Sequence, residues 1–136
     1  MGMEKVTEVG IVVSNLDKAT RLYTDILGAK VIETGIVDEY HMRYNMCRIG
    51  DIDFELMEPT SDTGPIGKFL KNHGEGLHHI GFKVKDIEDS LKEMKEKNIQ
   101  LIDENPRTDL HPNFKLAFVH PKSFHGVMFE LMEYLT

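Results

Sequence analysis

Apolar and polar residues alternate with period two over residues 6–13, which sets Val9, Ile11 and Val13 on one face of a strand and Glu8, Gly10 and Val12 on the other. The period then lengthens. Ser14 or Asn15 stands where a helix cap is needed, Asp17 suits the first turn, and Leu16, Ala19, Leu22, Tyr23 and Ile26 recur at helical spacing. Leu27-Gly28-Ala29 is expected to end this helix through a left-handed glycine. Residues 30–36, 42–49 and 52–58 read as three further strands, giving a β-α-β-β-β module.

Pro59 and residues 60–64 break the pattern, and Pro65 suits the first position of a short helix carrying Ile66, Phe69 and Leu70. After the polar loop 72–76 the order returns. Residues 77–84 form a strand with Ile80, Phe82 and Val84 opposite His79, Gly81 and Lys83. Asp86 caps a charged helix with an apolar stripe of Ile87, Leu91 and Met94, and Asp89 takes the capping-box position. Residues 99–102 mirror 29–32 seventy positions earlier and are expected to form a strand, followed by strands over 115–119 and 127–133. The expectation is an α+β fold of two tandem βαβββ modules building one concave mixed sheet. On this reading residues 1–136 are a single domain, with modules at about 6–58 and 77–134 joined by 59–76.

A short repeat supports the duplication. Phe54-Glu55-Leu56-Met57-Glu58 returns as Phe129-Glu130-Leu131-Met132-Glu133, seventy-five positions later. Alternation splits each copy: Phe and Leu face one way, towards the helix of their module, while Glu55 and Glu130 face the other with Met57 and Met132. Overlaying the first strands sets Glu8 against His79 and Gly10 against Gly81. If the two modules combine about a pseudo-twofold axis, Glu8, Glu55, His79 and Glu130 converge. One imidazole and three carboxylates suit a divalent cation. Taken singly, a strand-end glutamate is ordinarily solvated and a lone histidine ordinarily packs into the core; the duplication is what joins the four.

Composition narrows the setting. With 136 residues, 40% of them hydrophobic and 29% charged, the chain can bury one core. No apolar run approaches the ~18 residues of a membrane span, and the first residues lack the apolar stretch of a signal peptide. A single cysteine, Cys47, fits a reducing compartment, and a net charge of −7 disfavours nucleic acid as partner. A cytoplasmic protein with no membrane partner is expected.

The pattern resembles the vicinal oxygen chelate superfamily, which includes glyoxalase I, extradiol dioxygenases and the methylmalonyl-CoA epimerases. Its paired βαβββ modules carry metal ligands on the first and last strands of each half. Within it the chain is most similar to the epimerases, through Gly64-Pro65-Ile66-Gly67-Lys68-Phe69-Leu70, Gly76-Leu77-His78-His79-Ile80, and His120-Pro121-Lys122-Ser123 leading to Gly126-Val127. The resemblance implies that Glu55, His79 and Glu130, with Glu8, hold a divalent metal ion (Mg, Mn, Co, Ni or Zn). It implies that Glu39, in Val37-Asp38-Glu39-Tyr40, is catalytic; a solvated loop carboxylate is the other reading of that residue. Glu130 would be its acid–base partner, His78 a packing or hydrogen-bonding neighbour of the ligands, and Lys122 or Lys115 a contact for acyl or phosphate charge.

The implied activity is proton abstraction and return at C2 of a 2-acyl thioester through an enolate, with an acyl-CoA thioester as substrate and a homodimer as assembly. Two positions depart from the epimerase pattern. Glu8 stands where the superfamily usually has histidine, which favours harder cations such as Mg²⁺ or Mn²⁺. Asp109-Leu110-His111-Pro112 replaces a Gly-Ala-x-Gly-like segment near the expected substrate mouth. Two alternatives therefore stand beside the epimerase: a glyoxalase I (lactoylglutathione lyase)-like enzyme, and a metal-free small-molecule-binding protein on the same fold.

Overall fold

The computed structural model of the chain describes residues 2–135. Its elements run β1 (Lys5–Val12), α1 (Leu16–Asp25), β2 (Lys30–Val37), β3 (Met42–Ile49), β4 (Ile52–Pro59), α2 (Pro65–His73), β5 (Gly76–Lys83), α3 (Ile87–Glu96), β6 (Phe114–Val119) and β7 (Met128–Tyr134), with 3-10 turns at Asp38–Tyr40 and Pro121–Phe124. The capping signals operate as expected. Asn15 Oδ1 accepts from the Lys18 amide at 3.0 Å, and Asp86 Oδ1 accepts from the Asp89 amide at 3.0 Å. Gly28, at φ +72°, turns the chain out of α1 in the left-handed region.

The strands form one mixed sheet in the order β2-β3-β4-β1-β5-β7-β6. β1 runs parallel to β4 and β5 parallel to β7, whereas β2, β3 and β4, and β6 and β7, pair antiparallel. The α+β class and the mixed sheet match the expectation. The chain forms two compact units, one of Glu8–His78, the other running up to Thr7 and resuming at His79. The boundary therefore falls inside β1 and inside β5.

In the Glu8–His78 unit, α1 lays Leu16, Ala19 and Tyr23 on Phe54, Leu56 and Cys47. Burial pushes the Cys47 thiol pKa up. Leu22 and Ile26, expected in the same stripe, are exposed: α1 stops at Asp25, and a stripe of 16, 19 and 23 already covers its strands. On the opposite face Ile66 of α2 packs with Val12, Met42 and Met57. The start of α2 is pressed against the turn at Asp38–Tyr40, where a Cβ on Gly64 would stand 2.6 Å from the Tyr40 carbonyl oxygen. In the other unit α3 buries Ile87 and Leu91 against Val84, Ala117, Val119 and Leu131. Phe54, Leu56, Phe129 and Leu131 thus meet the helices, as the alternation predicted.

The second module departs from expectation at residues 99–102. Instead of a strand there is an isolated bridge, Leu101 to Val119, and a second one, Arg107 to Leu116. Pro106 has no amide hydrogen to give a ladder, and the Asp103 carboxylate accepts from the Phe118 amide at 2.9 Å in place of a strand carbonyl. The second half is realised as β-α-β-β.

The last glutamate of each repeat has a structural task. Glu58 Oε2 accepts from the Leu16 amide at 2.7 Å, and Glu133 Oε1 accepts from the Ile87 amide at 2.8 Å. Each carboxylate thus satisfies the first orphan N–H of its module's helix and sits at the positive end of the helix dipole. Each also faces a cation across the strand pair: Arg43 at 2.7 Å from Glu58, Lys115 at 3.6 Å from Glu133. The Arg43 hydrogen bond, reinforced by the Leu16 amide, holds the Glu58 carboxyl below its ordinary range.

Candidate metal centre

Register places the glutamates. In the Glu8–His78 unit, Glu8 of β1 lies opposite Asp53 of β4, and Gly10 lies opposite Glu55. Partners share a face, so Glu8 and Glu55 line the same side in successive rows. Tyr44, on β3, belongs to that side: its hydroxyl donates to Glu33. Burial first, then the Glu33 bond and the charges of Glu33, Glu55 and Glu8, push its pKa well up, so the phenol stays protonated.

In the other unit Gly81 of β5 lies opposite Glu130 of β7, which lies opposite Phe118 of β6. His79 Nε2 stands 3.2 Å from Glu130 Oε1, and the Phe118 ring meets the imidazole edge-on at 6.3 Å between centroids. His79 and Glu130 are 2% and 6% exposed, and Glu8, in the Glu8–His78 unit, is 7% exposed.

This donor set fits a divalent cation. The buried Glu130 carboxylate beside the buried His79 imidazole carries a desolvation cost when charged, and a cation held by both offsets it. Oxygen-rich coordination with one nitrogen accommodates Mg²⁺ or Mn²⁺ and tolerates Co²⁺, Ni²⁺ or Zn²⁺.

The other expected site residues fall elsewhere. Glu55 is half-buried on β4. Glu39 is exposed in the 3-10 turn between β2 and β3. His78 is half-buried and sets its ring edge-on to Phe69 of α2 at 4.9 Å. Lys122 is exposed in the 3-10 turn before β7, where its backbone amide donates to His120 Nδ1. Lys115 is drawn to Glu88 at 2.9 Å and to Glu133, so its charge is answered within the α3 region. Reading the chain alone missed Phe118 and Tyr44, whose alternation on β6 and β3 was the available signal. It also missed Asp103 and Arg107, which carried none.

A sequence model of the Glyoxalase/Bleomycin resistance protein/Dioxygenase superfamily matches residues 7–118. The chain belongs to this superfamily. Within it, the chain is 34% identical over 134 residues to the mitochondrial methylmalonyl-CoA epimerase of Dictyostelium discoideum, covering 98% of this chain and 80% of that one. It is 31% identical over 131 residues to the uncharacterized protein YqjC of Bacillus subtilis, covering 96% and 93%. Among solved superfamily structures, a Streptomyces coelicolor methylmalonyl-CoA epimerase variant in complex with 2-nitronate-propionyl-CoA aligns with a TM-score of 0.89 at 28% identity, covering 99% of this chain and 100% of that one. Among the described residues no helix is long and apolar enough to cross a membrane.

Proposed function

We propose that this superfamily member is a methylmalonyl-CoA epimerase: an isomerase that removes the C2 proton of a 2-acyl-CoA thioester and returns it on the opposite face. The observation that carries the reading is the buried His79–Glu130 pair, in a chain that matches an epimerase over 98% of its length. On this reading Glu8, Glu55, His79 and Glu130 hold the divalent cation. The chemistry such an ion supplies when bound is positive charge for the developing enolate oxygen.

The chain's own groups perform the proton steps. One carboxylate takes the C2 proton and a second, on the other side of the carbon, delivers one. Glu130 and Glu39 are assigned these roles. Glu130 is buried beside His79, which keeps bulk water from competing for the proton; Glu39 is exposed on a turn braced by Gly64. His79 orients Glu130 through their 3.2 Å contact.

The test is deuterium wash-in at C2 of methylmalonyl-CoA in heavy water. Exchange that depends on added divalent metal is expected. No exchange above buffer with any of Mg²⁺, Mn²⁺, Co²⁺ or Ni²⁺ ends the reading. A parallel lactoylglutathione assay is expected to be silent.

Glu8 in the usual histidine position favours a second reading, a metal-free binding protein on this fold. Metal content of protein purified without chelators separates the two. We also propose a homodimer, supported by exposed Leu22 and Ile26 near α1 and by exposed Val31, Ile32 and Ile36 on edge strand β2. Sedimentation at micromolar concentration, giving a monomer mass, would sink it.

A further inference from the structure

One polar cluster has no part in the proton steps and yet ends at the His79–Glu130 pair. Asp103 is its hub. Both carboxylate oxygens accept from Arg107 Nε at 3.1 Å, and Oδ2 also accepts from the Phe118 amide at 2.9 Å. The amides of Ile102 and Asp103 in turn donate to the Phe118 carbonyl at 3.0 and 3.1 Å. Both backbone groups of Phe118 are therefore held by residues 102–103, although no strand lies there. Arg107 then covers the Phe118 ring, its guanidinium carbon 5.0 Å from the centroid. That ring meets His79, and Phe118 is the cross-strand partner of Glu130.

The pseudo-symmetry of the chain marks this cluster as a departure. The seventy-position offset that carries Ala29 onto Ile99 carries Glu33 onto Asp103. In the first module Glu33 belongs to a full strand, β2, paired with β3 from Lys30↔Arg48 to Val37↔Met42, with a register shift between Val31 and Glu33. In the second module the strand is gone and the clamp remains, flanked by the bridges at Leu101 and Arg107.

We infer that Asp103 and Arg107 are positioning residues: they fix Phe118, and through its ring and its pairing with Glu130 they fix the geometry of His79 and Glu130. A guanidinium held by a carboxylate is both planar and immobile, so it keeps the aromatic ring from turning. The ring in turn limits the imidazole, and groups that orient a metal ligand typically change metal affinity or activity by about 10–100-fold when removed.

This inference rests on the metal-assisted epimerase reading, and its test separates the two. Arg107→Met, Arg107→Lys and Asp103→Asn variants are compared with the natural protein by Mn²⁺ affinity from electron paramagnetic resonance and by the His79 ring signals in NMR. Thermal midpoint and the kcat and KM of C2 exchange are measured alongside. Arg107→Met is expected to weaken Mn²⁺ binding and lower kcat by about tenfold each, with KM for the thioester within twofold and the His79 ring signals displaced. Arg107→Lys, which keeps a cation over the ring, should recover most of that loss; Asp103→Asn should resemble Arg107→Met. The inference is overturned if Mn²⁺ affinity and ring signals stay unchanged in Arg107→Met and Asp103→Asn while only the thermal midpoint falls. Absence of exchange in the natural protein removes the epimerase reading instead, and the His79 ring signals still decide the clamp.

Discussion

The two copies of Phe-Glu-Leu-Met-Glu do the same structural work but set their second residue in different surroundings. In both modules the Phe and Leu pack under a helix, and the final glutamate takes the helix's first amide while facing a cation across the strand pair. The second residue behaves differently. Glu130 is buried against His79, whereas Glu55 is half-buried and lies one row from Glu8. Each helix has its glutamate anchor. The polar face diverged, because nothing in helix packing constrains which side chain stands on the opposite side of a strand.

The sharpest way to break this comparison is to neutralise each repeated glutamate. Glu130→Gln should lower C2 exchange by about 10²–10⁴-fold, the range for a lost general acid–base group, without loss of folded protein. Glu55→Gln should cost about tenfold or less, because the amide keeps one oxygen able to ligate the ion. Equal losses in exchange assays would mean the two positions are chemically symmetric after all.

The packing half of the repeat should remain symmetric. Leu56→Ala and Leu131→Ala each remove a fully buried side chain and should each destabilise by about 2–5 kcal/mol in urea unfolding. A difference much larger than the spread of that range would show that one helix matters more.

Glu8 and His79 are the unlike pair on the first strands. Glu8→His should raise affinity for Co²⁺, Ni²⁺ or Zn²⁺ over Mg²⁺, by about tenfold, because imidazole suits the softer ions. Calorimetric titration with each ion checks this. An unchanged ion order would remove Glu8 from the ligand set.

The smallest effects belong to the anchors. Glu58→Gln should cost about 1 kcal/mol near neutral pH, as for a lost helix cap. Glu58 is held below its ordinary value of 4.5 by Arg43, so its folded form binds protons less readily than the unfolded chain. Its contribution is therefore present above about pH 4.5 and lost as pH falls through the lower folded value. Glu58→Gln should flatten that acid limb of a stability curve; an unaltered limb would deny the anchor its electrostatic part.

Much of this was legible in the order of residues. Period-two and helical spacing are local properties, and they located β1, β3 and both capped helices because the same residues bury the same faces in any fold that uses them. The repeat and the alternation separated Glu55 and Glu130 from Phe54, Leu56, Phe129 and Leu131, and the family motifs pointed to the superfamily. Other features needed tertiary structure. Ile26 looked like part of an apolar stripe until α1 stopped one residue short. Residues 99–102 have the composition of a strand, but strand formation depends on a partner's free edge, and Asp103 already occupies the Phe118 amide. The task of Glu58 and Glu133 could not be read along the chain because the helix amides they satisfy lie more than forty positions away. Alternation along a strand is fixed by covalent geometry and can be counted. Which distant donor or ring a side chain meets depends on how the strands pair, and only the folded chain decides that.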